Sequence, residues 1–414
     1  MKISAFAKLL FISVMSCFLF ACGGDKATPL AADTSTTLKG VAAAGIFQTG
    51  TVDIHAVKAD GTLDPTPLNS ANIVVSDNGN FSVNIGTYSG AVVAIAYGTY
   101  VDEATGATIN LPKTSPLRAA LPSSSVKSGV VKLNITALTT VAVAQAGVAG
   151  PAVTFTDNSI VAANQALATA FDIASITDVA PVSPTDLLNP AVSGDQIKYT
   201  TLLALLSEYT GKTSLNPAEP TPTEVVAALS NMATNIDTTN KTISSAGAYS
   251  LQSAASTLLA KTENPVVVAI NQLPASTTYI NQVKDGSLLN GGVPITIFPL
   301  KLRTVGPDGI LGIDVAFTLP PGVSIFPNNT TGIFASGAAG GVSLVTANTV
   351  GQKTSISLAT GAENGLAAGE FLTVYCGYSA GTAPLLADII ISDLIVHSVA
   401  GGEIVTDSFV IEKF

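Results

Sequence analysis

The residues of this 414-residue chain that most suggest catalysis lie near its C-terminus. Gly377-Tyr378-Ser379-Ala380-Gly381 fits the Gly-x-Ser-x-Gly turn that presents a nucleophilic serine, and it directly follows an apolar run. Asp388, Asp393 and His397 come after it in the order Ser, Asp, His. That chemistry needs the serine on a tight strand-to-helix turn, a histidine as base and a carboxylate to orient the imidazole. The surroundings argue against it. Pro384 and the β-branched Ile389-Ile390-Ile391 predict a strand after the serine, where a helix is required. His397 follows Ser379 by only 18 positions, and no Gly-rich oxyanion loop precedes them. The segment reads as a Gly/Ser loop between two strands, so no catalytic residue is assigned. A serine hydrolase using Ser379 stays as an alternative.

Other constellations are weaker. Gly211-Lys212-Thr213 resembles the end of a phosphate-binding loop, but Leu206 stands where its first Gly belongs. The chain has two His, His55 and His397, and no paired Cys, which excludes a zinc site of usual composition. Asp77, Asn78 and Asn80 could together face a Ca²⁺, yet no bidentate Glu follows at the required spacing and a turn explains them better. Asp308 to Asp314 is read the same way. No metal and no cofactor is expected. A sugar platform would need exposed rings; with no Trp and nine Tyr, Tyr375 and Tyr378 are the candidate ligand contacts. Packing of Tyr375 on its own sheet is the simpler reading.

The N-terminus carries a processing signal. Lys2 and Lys8 precede an apolar stretch, Leu9 to Ala21, too short to span a bilayer. It ends in Leu19-Phe20-Ala21-Cys22, then Gly23-Gly24. This resembles a bacterial lipoprotein signal, and the resemblance implies cleavage after residue 21 and acylation of Cys22. Gly23 in place of an Asp implies sorting to the outer membrane, with the lipid leaflet as a partner. Stable anchoring is what the acyl chains would supply. Of Cys17, Cys22 and Cys376, removal of the first and acylation of the second leave Cys376 without a partner for a disulfide.

Stepwise changes in periodicity divide the remainder. Residues 22–37 are small and polar and read as a flexible tether. Residues 38–150 alternate with period 2, as in Thr51 to Val57 and Phe81 to Ile85, with Asn78-Gly79 predicting a tight hairpin. Residues 157–285 turn helical. Thr221-Pro222-Thr223-Glu224 is a capping box, and Val225, Leu229, Met232 and Ile236 follow on one face. Further helices are expected over 158–171, 202–209 and 251–259, four in all, separated by Pro-rich links. Residues 291–414 return to strands, among them Gly312 to Leu319, Leu372 to Cys376 and Ala387 to Val396. The fold class is multidomain and mainly β: two β-sandwiches flanking an α-helical middle region. Only 11% of residues are charged, but no run approaches the roughly 20 strongly apolar residues of a spanning helix. The longest charge-free run, Ile135 to Phe155, is broken by Thr, Gln, Gly and Pro151. A net charge of −10 excludes a nucleic-acid partner, which needs a basic stripe.

The turn residues carry further resemblances. Asp77-Asn78-Gly79-Asn80-Phe81 is similar to a turn of carboxypeptidase-regulatory-like and prealbumin-like sandwiches, which implies a non-catalytic first domain. Leu319-Pro320-Pro321-Gly322-Val323, Gly369-Glu370-Phe371 and the closing Asp-rich hairpin resemble cohesin and related carbohydrate-binding sandwiches. The whole order resembles surface lipoproteins of anaerobic delta-class proteobacteria. These resemblances imply binding or adhesion at the cell envelope, to a dockerin-like protein module or a polysaccharide. A purely structural envelope component is the alternative, since fold analogy cannot choose between them.

Overall fold

The computed structural model describes residues 34–148, 153–289, 294–306, 308–327, 332–379, 384–398, 403–404 and 410–413. Cys22, the signal segment and most of the tether lie outside them. The alternating segments of the first half form β1 (Thr36–Ala43), β2 (Phe47–Ala56), β3 (Asn69–Ile73), β4 (Asn80–Asn84), β5 (Val92–Val101), β6 (Thr108–Leu111), β7 (Leu117–Leu121), β8 (Gly129–Lys132) and β9 (Ile135–Thr136). One sheet runs β4-β1-β8, with β9 continuing beside β1; the other runs β3-β2-β5-β6, with β7 beside the first half of β5. Asn78 and Gly79 have φ of 48° and 74°, the left-handed backbone that their types favour. The turn does not close the hairpin expected from the sequence: β3 belongs to one sheet and β4 to the other. Ile73, Phe81 and Val83 are all buried in one shared core, so the chain crosses between sheets to place both strands against it.

Thr136, the last residue of β9, is also the N-cap of helix α1 (Ala137–Ala146), its hydroxyl accepting from the Thr139 N–H at 3.1 Å. Eight of the ten α1 residues are buried. This explains the long charge-free run, since a helix surrounded on all sides has no polar face. Around it lie α2 (Asp157–Ala170), α3 (Gly194–Thr213), α4 (Pro222–Ala233), a small hairpin of β10 (Ile236–Asp237) and β11 (Thr242–Ile243), α5 (Ser245–Ala260), α6 (Pro265–Asn271) and α7 (Pro274–Lys284). The capping box at α4 forms in both directions: Glu224 N–H reaches Thr221 Oγ1, and Thr221 N–H donates to Glu224 Oε2 at 2.8 Å. Val225, Leu229 and Met232 are buried as their spacing predicts, but the helix stops at Ala233 and Ile236 enters the core from β10. The described residues hold seven helices where the sequence led us to expect four. The sandwich and the helices share one apolar core running from Leu38 to Val283.

The last part forms β12 (Thr296–Val305), β13 (Ile310–Thr318), β14 (Val323–Ile325), β15 (Ile333–Ala335), β16 (Ser343–Val350), β17 (Lys353–Thr360), β18 (Glu370–Tyr378), β19 (Ile390–Ser398), β20 (Glu403–Ile404) and β21 (Val410–Lys413). One sheet is ordered β14-β18-β12-β21, with β15 also on β18; the facing sheet is β16-β17-β13-β19-β20. Leu300, Val315, Phe317, Leu358, Val374 and Cys376 fill the space between them. Alternation along β17, where Thr354, Ile356 and Leu358 are buried between exposed neighbours, is the period-2 signature of a sheet with one wet face. The fold is thus mainly β, with two sandwiches flanking a helical region.

Candidate functional site

The structure separates the residues of the serine-hydrolase reading. Ser379 is exposed just past β18, in one sheet, whereas His397 is near the end of β19, in the other. His397 lies seven positions beyond the start of β19, about 23 Å along the strand at roughly 3.3 Å per residue. Its Nε2 is 3.1 Å from Asp314 Oδ2 on the neighbouring β13. Asp393 pairs with Lys353, and Asp388 Oδ2 accepts the Leu385 N–H at 3.1 Å. Gly377 serves packing: a Cβ there would collide with Ile295 Cδ1. Ala380 and Gly381 lie outside the described residues.

Tyr375 and Tyr378 do not form a common platform. They stand three positions apart on one strand, which sends their rings to opposite faces of the sheet. Tyr375 meets Tyr249 of α5 and Phe334 of β15, each with ring centroids 6.0 Å away. Tyr378 leans on Phe298 of β12 at 6.1 Å. Between them Cys376 is fully buried, and burial pushes its thiol up to about 12. It behaves as a small apolar side chain.

The remaining motifs resolve as turns and helix ends. Gly211-Lys212-Thr213 is the last turn of α3, and Lys212 Nζ donates to Ser253 Oγ at 2.7 Å. Asp77 Oδ2 accepts the Val74 N–H at 2.9 Å, and Asn80 Nδ2 donates to the Asp77 carbonyl at 2.5 Å. Asp308 Oδ1 accepts the Ala368 N–H at 2.8 Å. Among the described residues no group of three or more His, Cys, Asp or Glu could hold a metal. No described helix is long and apolar enough to cross a membrane.

Two other features stand out. The outer face of β16, β17, β13 and β19 is rich in small side chains. Its register aligns Leu344, Ala359, Gly312 and His397 in one cross-strand row, and Val350, Lys353, Thr318 and Ile390 in another. Ser355, Ser357 and Ala316 lie between the two rows. Leu344, Val350 and Ile390 are 72%, 74% and 62% exposed. The Asp314–His397 pair sits on the same face. Hydrogen bonds from Ser357 and His397, together with the imidazole's charge, hold the Asp314 carboxyl below the usual carboxylate range. No Phe or Tyr points outward from these four strands.

The second feature is a cavity of about 1010 Å³ where the β5–β6 turn faces the 180–186 link and the start of α6. Glu103 is among the residues lining it; its carboxylate oxygens are themselves buried and have no hydrogen-bond partner. Sequence reasoning missed this residue, because Asp102-Glu103-Ala104-Thr105-Gly106 looks like any polar turn. Its carbonyl meets the side chain of Asn264, the residue that caps α6, 161 positions away.

No protein-family profile matches the chain, and neither does any curated protein. Among solved structures it is similar, over 27% of its length, to 73% of a non-cellulosomal cohesin from the hyperthermophilic archaeon Archaeoglobus fulgidus, at 13% identity and a TM-score of 0.21.

Proposed function

We propose that the chain is exported as a lipoprotein acylated at Cys22 and held to the outer-membrane leaflet. There it acts as a non-catalytic binding module, its C-terminal sandwich taking a protein partner on the outer face of β16, β17, β13 and β19. The observation that carries this reading is the exposure of Leu344, Val350 and Ile390 on a face of small residues. These aliphatics stand at both ends and both sides of a face of small side chains, so a partner laid across the sheet would cover them together. A protein suits this face better than a polysaccharide, because no Phe or Tyr points outward from it for a sugar to stack on. The dockerin-like module implied by the sequence resemblance is the partner class we favour. The pairing of His397 with Asp314, in the sheet that does not carry Ser379, supports a role without catalysis.

The test is capture of partners from envelope and secreted fractions with the full chain as bait and soluble polysaccharides as competitors. The expected result is a discrete protein that survives sugar competition and is lost when Leu344 and Val350 are changed to Glu. Retention abolished by sugars would replace the protein partner with a polysaccharide, and no retention at all would leave a structural role. Palmitate labelling lost in Cys22→Ser tests the anchor; retained label overturns it.

A further inference from the structure

Strand β16 ends its sheet, paired with β17 on one side and with no described strand on the other. The Gly361 N–H donates to the Val342 carbonyl at 3.1 Å. Bonded and non-bonded pairs alternate along an antiparallel ladder, so Leu344, Thr346, Asn348 and Val350 bond to β17 across an unshifted register. The N–H and C=O groups of Val345, Ala347 and Thr349 therefore point the other way, along the open edge. Val345 and Ala347 turn their side chains onto the core between the sheets. A row of free backbone groups is a template for another strand, and proteins normally blunt it with short strands, charges or Pro. The other edges of this sandwich conform. β14 and β15 have three residues each, β20 has two, and β21 has four, with Glu412 and Lys413 among them. Strand β16 has eight residues, with no charge, no Pro and no bulge.

What fits this edge follows from the residues on its outer face. Leu344 and Val350, 72% and 74% exposed, stand near the two ends of the strand, with Thr346 and Asn348 between them. Turned end for end about Ala347, the strand matches itself. Leu344 comes opposite Val350, and Thr346 opposite Asn348. These are non-bonded pairs, whose Cβ atoms lie about 5 Å apart, so each exposed aliphatic covers the other. The bonded pairs are Val345 opposite Thr349 and Ala347 opposite Ala347, and no charge is brought into the contact. We propose that β16 pairs antiparallel with β16 of a second copy of this chain, about a two-fold axis at Ala347, joining two sheets into one. A two-fold contact closes on itself, so the product is a dimer and not a fibre. The proposal goes beyond the partner on the outer face and does not rest on it, although Leu344 and Val350 border both surfaces.

The experiment uses the chain from residue 22 onward, which keeps the whole compact unit of residues 35–414. Cys22→Ser removes the acylation site and leaves buried Cys376 as the remaining native thiol. Sedimentation from about 1 µM to about 1 mM should show a reversible dimer, because a one-strand contact lies at the small end of specific interfaces. Ala347→Pro deletes an N–H that β17 does not use, and Pro is tolerated on an edge strand. It should weaken the dimer about tenfold or more. Two exposed positions report the register without touching the core. Thr346→Cys mixed with Asn348→Cys should form a disulfide between chains, at the roughly 4.5 Å Cα separation of a non-bonded pair. Either variant alone sets its cysteines on a diagonal of about 7–8 Å and should not.

A chain that stays monomeric at every concentration overturns the proposal, as does a dimer that Ala347→Pro leaves intact. Should that variant fail to fold, the cross-links decide: equal yields from the mixture and from the single variants overturn the pairing. Leu344→Glu with Val350→Glu would disturb both surfaces, whereas Ala347→Pro acts on the edge alone. A monomer that still captures an envelope partner therefore refutes the dimer only, and a dimer that captures nothing refutes the partner only.

Discussion

Tyr249 of α5 and Tyr375 of β18 meet with ring centroids 6.0 Å apart and planes inclined at 48°. This contact belongs to a small apolar joint of Ala248, Ile295, Ile297 and Phe326, distinct from the two large cores. It links the helices to the C-terminal sandwich within the single unit formed by residues 35–414. Tyr375 thereby has a place in the architecture, with its ring held between a helix and a neighbouring strand.

Gln252 of α5 supplies the polar part of the same joint. Its Nε2 donates to the Ile295 carbonyl at 2.7 Å and its Oε1 accepts the Ile297 N–H at 3.1 Å. Gln252→Leu would leave both buried backbone groups unpaired, a loss of about 2 kcal/mol. Chemical denaturation should show that loss, and amide exchange at Ile297 should accelerate well beyond that of the β13–β17 ladder.

Gly377 and Ser379 make a second, opposed pair of expectations. Gly377→Ala drives a methyl into Ile295 and Phe326 and should cost about 1–3 kcal/mol, the range for overpacking. Ser379 is exposed and beyond the strand, so Ser379→Ala should shift stability by less than about 0.5 kcal/mol. A fluorophosphonate probe should leave the full chain unlabelled. Labelling that disappears in Ser379→Ala would restore the hydrolase reading.

Local signals were legible in the sequence where the chemistry is local. The Thr221–Glu224 box, the left-handed Asn78-Gly79 turn and the alternating strand at β13 all follow from side chains acting on their own backbone. What escaped depends on distant partners. Helix α1 lacks an amphipathic stripe because protein encloses it, so periodicity could not reveal it. Ile236 sits in phase with the helical face before it and yet packs from a strand. The pairing of His397 with Asp314 rather than with a nearer carboxylate depends on strand order. Glu103 is the extreme case, since nothing in its own segment announces the cavity it lines.

The exposed sheet face gives a third prediction. Leu344 and Val350 are mostly solvated on the edge strand β16. Changing each to Glu should therefore alter folding stability by no more than about 0.5 kcal/mol. Edge charges also discourage unwanted strand pairing, so the double variant should stay soluble. Loss of partner capture at unchanged stability would tie binding to this face. Capture that persists in the double variant would move the interface elsewhere.

Glu103 also makes stability depend on pH in a direction opposite to most carboxylates. In the folded chain its carboxyl is pushed to about 8, while in the unfolded chain it titrates at its ordinary value of 4.5. Between these values the folded state holds a proton that the unfolded state has released. Stability from this group is therefore whole below 4.5 and falls as pH rises toward 8. At about 1.4 kcal/mol per pH unit the loss amounts to a few kcal/mol at most. Glu103→Gln removes the titration and leaves Asp102, Asp186, Glu208, Glu263 and Lys261 in both proteins. Denaturation midpoints measured from pH 4.5 to 8.5 should show the variant gaining steadily on the wild type up to pH 8, above any constant offset. A flat difference would mean that the carboxyl is solvated in solution.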